Sequence, residues 1–171
     1  MPTLEDRYLK STFYEQLAEH VFISELLQEA WFRFNTIIDV SHSEIDASGY
    51  DLLLECNGII RHVQLKTSDV TARASKQKVH ISLADKPSGC IVWILRGHDS
   101  RTNRLSLSYL FFGADPGKPF VISDQFKVAK HTKANAQGLK KDRPNLRQVP
   151  KSRFQPVTDT GHLLRLLFGL S

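Results

Sequence analysis

At 171 residues, 41% hydrophobic and 24% charged, the chain has the length and composition of one globular domain with a real core. No apolar run approaches the roughly 20 residues that span a bilayer. Met1 to Lys10 carries two acids and no apolar h-region, so it does not read as a secretory signal, and a cytoplasmic protein with two reduced thiols, Cys56 and Cys90, is expected. The net charge of +5 is uneven: residues 127–153 hold nine Lys or Arg against one acid, a local charge of +8, which leaves −3 for the rest. An acidic body with a basic C-terminal segment is the layout of a protein that meets a polyanion, although a solvated surface segment carries the same pattern.

Residues 3–34 are rich in helix formers and read as one helix or two joined, with Thr3 as a cap and a buried stripe of Phe13, Leu17, Val21, Leu27 and Trp31. On that stripe His20 reads as a core histidine. A β-branched run at 36–40 reads as a strand, and 41–49 as a polar loop. Strands follow at 50–55 and 59–67 about an Asn57-Gly58 turn. Residues 68–78 read as a loop and a helix, and 79–83 fits strand or helix. Strands are expected at 90–96 and 105–112, a loop at 113–119, a strand near 126–129, then the basic segment running over the surface, and an apolar helix at 161–168 pinning it back. The expected fold is therefore α/β with a central mixed sheet, a single domain made of a core at 1–126 and a basic segment with a terminal helix at 127–171.

The most informative stretch is 50–66. Asn-Gly between two apolar runs is a strong hairpin signal, because a type I′ turn needs positive φ at both central residues. With Asn57-Gly58 alone as the loop, Cys56 pairs with Ile59, Leu52 faces Val63 and Asp51 faces Gln64. Alternation then places Asp51, Gln64 and Lys66 on one face and Leu52, Leu54, Val63 and Leu65 on the other. An acid, an amide and a lysine converge at the open end of the hairpin, within about 5–8 Å of one another. Carboxylate and amide oxygens are hard ligands suited to Mg²⁺, and a lysine beside them can hold a water or offset charge on a phosphate. A solvent-facing polar strand surface is the plainer alternative. On the first helix Glu19 falls in line with Ile23, Leu26 and Ala30, at the margin of the core, whereas Glu25 and Glu29 are expected to face solvent. An acid at that margin wants a metal, a lysine or hydrogen-bond donors.

Glu19 on a first helix, Gly49-Tyr50-Asp51 opening a strand and Gln64-Leu65-Lys66-Thr67-Ser68 ending the next resemble the PD-(D/E)XK nuclease superfamily. The order helix, three-stranded meander, helix, further strands is similar to its restriction-endonuclease-like core, and the Gln in place of an acid is similar to the Mrr-type variant. The resemblance covers residues 13–112. It implies a Mg²⁺- or Mn²⁺-dependent endonuclease acting on DNA. Asp51 would be the principal metal ligand, Gln64 would stand in the second acid's place, the Leu65 carbonyl would face the metal, Lys66 would orient the attacking water, and Glu19 would bind metal directly or through water. Gln64 brings no charge, and so also fits a nuclease-like module that binds nucleic acid without cutting it. A structural partner in a defence or repair complex is a third reading.

From the basic segment, Lys130, Lys133, Lys140, Lys141, Arg143, Arg147, Lys151 and Arg153 are the candidates for gripping DNA phosphates without reading sequence. A chain this short is expected to embrace both strands only as a homodimer. The seven histidines lack zinc-site spacing, no phosphate loop or GxSxG occurs, His62 shares the strand face of Gln64, and Phe111-Phe112 could stack on a base but more commonly would be buried.

Overall fold

The computed structural model describes residues 10–44, 49–122, 124–131 and 140–171. The chain is mixed α/β, with a six-stranded mixed sheet, a smaller three-stranded sheet and, among the described residues, two α-helices. None of the described helices is long and apolar enough to cross a membrane.

The six-stranded sheet has the order β1-β2-β3-β5-β6-β9, made of β1 (Asp39–His42), β2 (Leu52–Cys56), β3 (Ile59–Asp69), β5 (Gly89–Asp99), β6 (Arg104–Gly113) and β9 (Gln155–Val157). β3 and β5 run parallel, and the other neighbours are antiparallel. The β2–β3 hairpin has the register its turn requires: Asn57 and Gly58 both take positive φ, Cys56 pairs with Ile59, and Leu52 pairs with Val63. Two-residue turns of this kind match the right-handed twist of the strands they join, which pins the register as far as Leu52 and Val63; the ladder ends there, and the expected Asp51–Gln64 pair is not part of it.

Helix α1 (Ser11–Phe34) packs on one face of this sheet together with α2 (Thr160–Phe168). Its buried line is Ala18, Phe22, Leu26 and Ala30, and it closes on Leu52, Leu54, Val63, Val92 and Leu164. This corrects the expected stripe: Phe13 is 63% exposed and Trp31 55%, Leu17 and Leu27 are also exposed, and His20 is exposed rather than in the core. Two small alanines on the inward line let the helix approach the sheet closely, so the bulky residues point outward. Glu25 is corrected too. It accepts the Tyr109 hydroxyl proton across the helix–sheet interface, and burial and that neighbouring carboxylate push the phenol well above its ordinary pKa. Glu29 pairs with Arg33 at 2.7 Å. Thr3 lies outside the described residues.

The other face of the sheet carries a second core of Val79, Leu83, Ile91, Trp93, Leu110, Phe120, Val149 and Phe154. It is closed by the three-stranded sheet β4-β8-β7, made of β4 (Lys76–His80), β8 (Asp142–Pro150) and β7 (Val128–Lys130). Three expectations change here. Residues 68–78 hold no helix: β3 continues to Asp69, and β4 follows. Residues 79–83 divide between the end of β4 and a 3-10 turn, Ile81–Asp85. The basic segment is not an irregular surface run, because its residues 142–150 form β8, which pairs with β4 and buries Val149. The first strand is also displaced, from the expected 36–40 to Asp39–His42. Cys56 and Cys90 are free and buried, and burial pushes the Cys90 thiol up. Phe111 lies in the first core, and Phe112 is wedged among Phe120, Phe126 and Phe154, so this aromatic pair is committed to packing.

Candidate functional site

Asp51 sits one residue before β2 and is fixed from both sides. Its N–H donates to the Val63 carbonyl at 2.9 Å, and its own carbonyl accepts from the Ser43 N–H at 2.9 Å. Its carboxylate folds over β3, Oδ2 accepting from the Leu65 N–H at 2.6 Å. The approach to Asp51 depends on Gly49, which has positive φ and where an added Cβ would lie 2.3 Å from Ser82 Oγ; only glycine fits that crossing.

A cavity of about 380 Å³ opens at this point. Asp51, Leu65, Lys66 and Thr67 line it from the hairpin, Thr12, Glu15, Gln16 and Glu19 from α1, and Gln77 from β4. The structure thus brings Asp51, Leu65, Lys66 and Glu19 to one cavity. Glu19 is also held by His42 at the end of β1, Oε1 to Nε2 at 3.0 Å. Carboxylate and carbonyl oxygens are the donors a hard divalent cation prefers, so this set fits Mg²⁺ in kind. No three acids, histidines or cysteines among the described residues come close enough to make a cation site from those side chains alone.

Gln64 does not line the cavity. It is 7% exposed and turned towards the second core, where its Oε1 accepts from the His80 N–H at 3.3 Å. The amide therefore ties β3 to the end of β4. His62 is likewise engaged elsewhere: its Nδ1 lies 2.8 Å from the Pro87 carbonyl, which makes that nitrogen the donor, and its ring meets Tyr50 edge-on.

Beside the cavity, and sharing Lys66 and Gln77 with it, runs a second cavity of about 330 Å³ lined also by Lys76, Lys78 and Gln148. In the β4–β8 register Lys76 faces Pro150 and Lys78 faces Gln148, so both lysines and Gln148 stand on the outer face of the small sheet. Sequence reading had missed Lys76 and Lys78. The signal available was the alternation Lys76-Gln77-Lys78-Val79, a half-buried edge strand with its charges outward. Of the expected phosphate contacts, Lys130 lies 4.0 Å from Asp142, Arg143 is exposed on β8, and Lys140 and Lys141 are exposed just before it. Arg147 Nη1 donates to the Pro144 carbonyl at 2.6 Å. Lys151 and Arg153 sit over the rings of Trp93 and Phe126. Lys133 lies outside the described residues. A further cavity of about 260 Å³ joins His80, His131 and Arg143 at the far end of the same sheet. No protein-family model, no curated protein and no solved structure matches this chain.

Proposed function

We propose that this protein is a metal-dependent DNA endonuclease of the PD-(D/E)XK type, with Asp51 and Lys66 at its centre. The observation that carries the reading is the shared cavity: Asp51, Glu19, Leu65 and Lys66 come from three elements and line one opening, bordered by a cationic groove. Asp51, Glu19 and the Leu65 carbonyl are the groups that would hold Mg²⁺ or Mn²⁺, which when bound supplies a Lewis acid for a scissile phosphodiester. The Leu65 N–H fixes the Asp51 carboxylate before any ligand arrives, so its orientation costs little on binding. Lys66 lines both the cavity and the groove, which suits it to orient a water and to offset negative charge developing on a phosphate. Lys76, Lys78, Lys140, Lys141 and Arg143 hold the DNA backbone without reading bases.

One observation favours a second reading, a nuclease-like module that binds nucleic acid without cutting. Gln64 brings no charge and spends its oxygen on the His80 N–H, so the cavity draws nothing from the position where the family pattern has a second acid. The departures of the fold, a strand and a 3-10 turn where a crossover helix was expected, point the same way. The test is cleavage of supercoiled plasmid and of single-stranded DNA with Mg²⁺, with Mn²⁺ and with chelator, alongside DNA binding. Metal-dependent nicking abolished by Asp51→Ala is the expected result. Binding without nicking under every metal condition selects the second reading.

A further inference from the structure

Helix α1 is apolar on two opposite sides, and only one of them is covered by the sheet. The outward side carries Phe13, Leu17, His20, Ser24, Leu27 and Trp31, following one another at steps of four, three, four, three and four. All six are exposed, Phe13 and Trp31 by more than half. Alternating steps of three and four make the a/d seam of a coiled coil. The flanks of the seam, at Gln16, Val21 and Gln28, carry no permanent charge. All four acids of the helix, Glu15, Glu19, Glu25 and Glu29, lie on the opposite side. A solvent face of a 24-residue helix with no Lys, Arg, Asp or Glu along its seam is unusual, since such faces are ordinarily charged.

The seam is also a palindrome about Phe22. Residues equally far from that centre correspond: Phe13 with Trp31, Leu17 with Leu27, and His20 with Ser24. When two copies of such a helix lie antiparallel about a two-fold axis, each a position meets a d position of its mate, and this spacing supplies matched layers along the whole length. The bulky aromatics close both ends, the leucines lie inside them, and the polar pair falls at the dyad. There His20 of each copy faces Ser24 of the other. Ser24 Oγ accepts from Gln28 Nε2 at 2.9 Å, which leaves its hydroxyl proton to donate across the seam. A parallel pair would instead oppose His20 to His20 and Phe13 to Phe13, leaving the histidines without a complementary partner. A central polar layer of this kind fixes register and orientation.

We infer that the protein forms a two-fold homodimer through an antiparallel pairing of α1 along Phe13, Leu17, His20, Ser24, Leu27 and Trp31. An aromatic side chain can bury about 150–250 Å². At their present exposures two aromatics and two leucines per copy, with the polar flanks, hide on the order of 1,000 Å² in the pair, near the lower bound of a specific interface. Glu15 and Glu19 face away from the seam, whereas Gln16 stands both on its flank and on the rim of the cavity, so the pairing borders the cavity without taking its acids. The inference is independent of what that cavity does.

The test is sedimentation equilibrium of the full chain from about 1 to 100 µM, together with cysteine cross-linking. Cys56 and Cys90 are buried, so engineered surface thiols meet no competing thiol among the described residues. The wild type is expected to dimerise within that range. Trp31→Glu and Leu17→Glu are each expected to weaken dimerisation at least tenfold with an unchanged circular dichroism spectrum. Under diamide the double variant His20→Cys/Ser24→Cys is expected to give a disulfide dimer far faster than either single variant. A wild type that stays monomeric at 100 µM overturns the inference. So does a dimer unaffected by both glutamate variants, or cross-linking as fast in His20→Cys alone, which would mark a parallel pair.

Discussion

Removing the two lysines that stand on the outer face of β4 tests the groove directly. Lys76 and Lys78 are exposed, lie on one strand face opposite Pro150 and Gln148, and line the same groove as Lys66. Each phosphate neutralised on duplex DNA contributes about 0.9 to the slope of log K against log salt. If each lysine meets one phosphate, Lys76→Ala/Lys78→Ala makes that slope shallower by about 1.8. Between 50 and 200 mM salt, a fourfold rise, the variant's affinity should then fall about twelvefold less than the wild type's. Fluorescence anisotropy of a labelled duplex across that salt range measures both slopes. Lys118→Ala, in the loop at the other end of the sheet, serves as the control and is expected to keep the wild-type slope. An unchanged slope in the double variant refutes the groove as a phosphate track, whatever the affinity at a single salt concentration.

Three further outcomes are expected. Asp51→Ala should abolish Mn²⁺ binding by calorimetry, whereas Lys66→Ala should leave Mn²⁺ bound and remove plasmid nicking; loss of metal binding in Lys66→Ala would contradict the assigned roles. Arg61 is fully buried, Nη2 donating to the Ala114 carbonyl at 3.0 Å and the guanidinium lying 5.7 Å from the Phe111 ring centre, while Nε and Nη1 find no hydrogen-bond partner among the described residues. Because an ill-compensated buried cation is costly, Arg61→Met should leave urea stability unchanged or raise it by about 1–2 kcal/mol, and a clear loss would show that the guanidinium contributes more than its contacts indicate. Asp159 caps α2 by accepting from the His162 N–H at 2.7 Å, and that bond holds its carboxyl below the usual range. Its folded pKa being depressed, its contribution is present above the unfolded value and is lost as pH falls through the folded one. Asp159→Ala should therefore lower the melting temperature at pH 7, with the gap to wild type closing as the pH falls below 4; a gap that is constant with pH counts against the charge.

The hairpin was legible because its information is local: two residues, Asn57 and Gly58, set the turn, and the turn sets the register as far as Leu52 and Val63. The inward face of α1 was not legible, because the helix offers two apolar faces and the larger residues lie on the wrong one; Ala18 and Ala30 win inside through the close approach they allow. β4 was hidden for a different reason. Lys76-Gln77-Lys78-Val79-His80 has one strong apolar residue, and the strand exists because β8, some seventy residues later, supplies its hydrogen bonds. The Glu19–His42 contact had no local signal either, since it joins a helix to the end of a strand whose end sequence reading placed two residues early.

That distant pairing bears on how the candidate site is built. Gln77 lines the cavity and donates to Ser68 Oγ at 3.2 Å, the same oxygen that takes the Trp93 indole N–H at 3.0 Å. β4 is thereby stitched to β3 and to the second core, and the Gln64 amide adds a tie at His80. Among the described residues its sole strand partner is β8, which comes from the basic segment. The segment is therefore not a detachable tail gripping DNA beside a finished site. Val149 and Phe154 from that segment help bury Trp93 and Ile91, the register of β8 decides where Lys76 and Lys78 stand, and the side of the cavity formed by Gln77 depends on the same strand. On the proposed reading, polyanion affinity and cavity geometry depend on one element, so a change in the interior of β8 is expected to alter both together, and a change confined to its outward cations only the first.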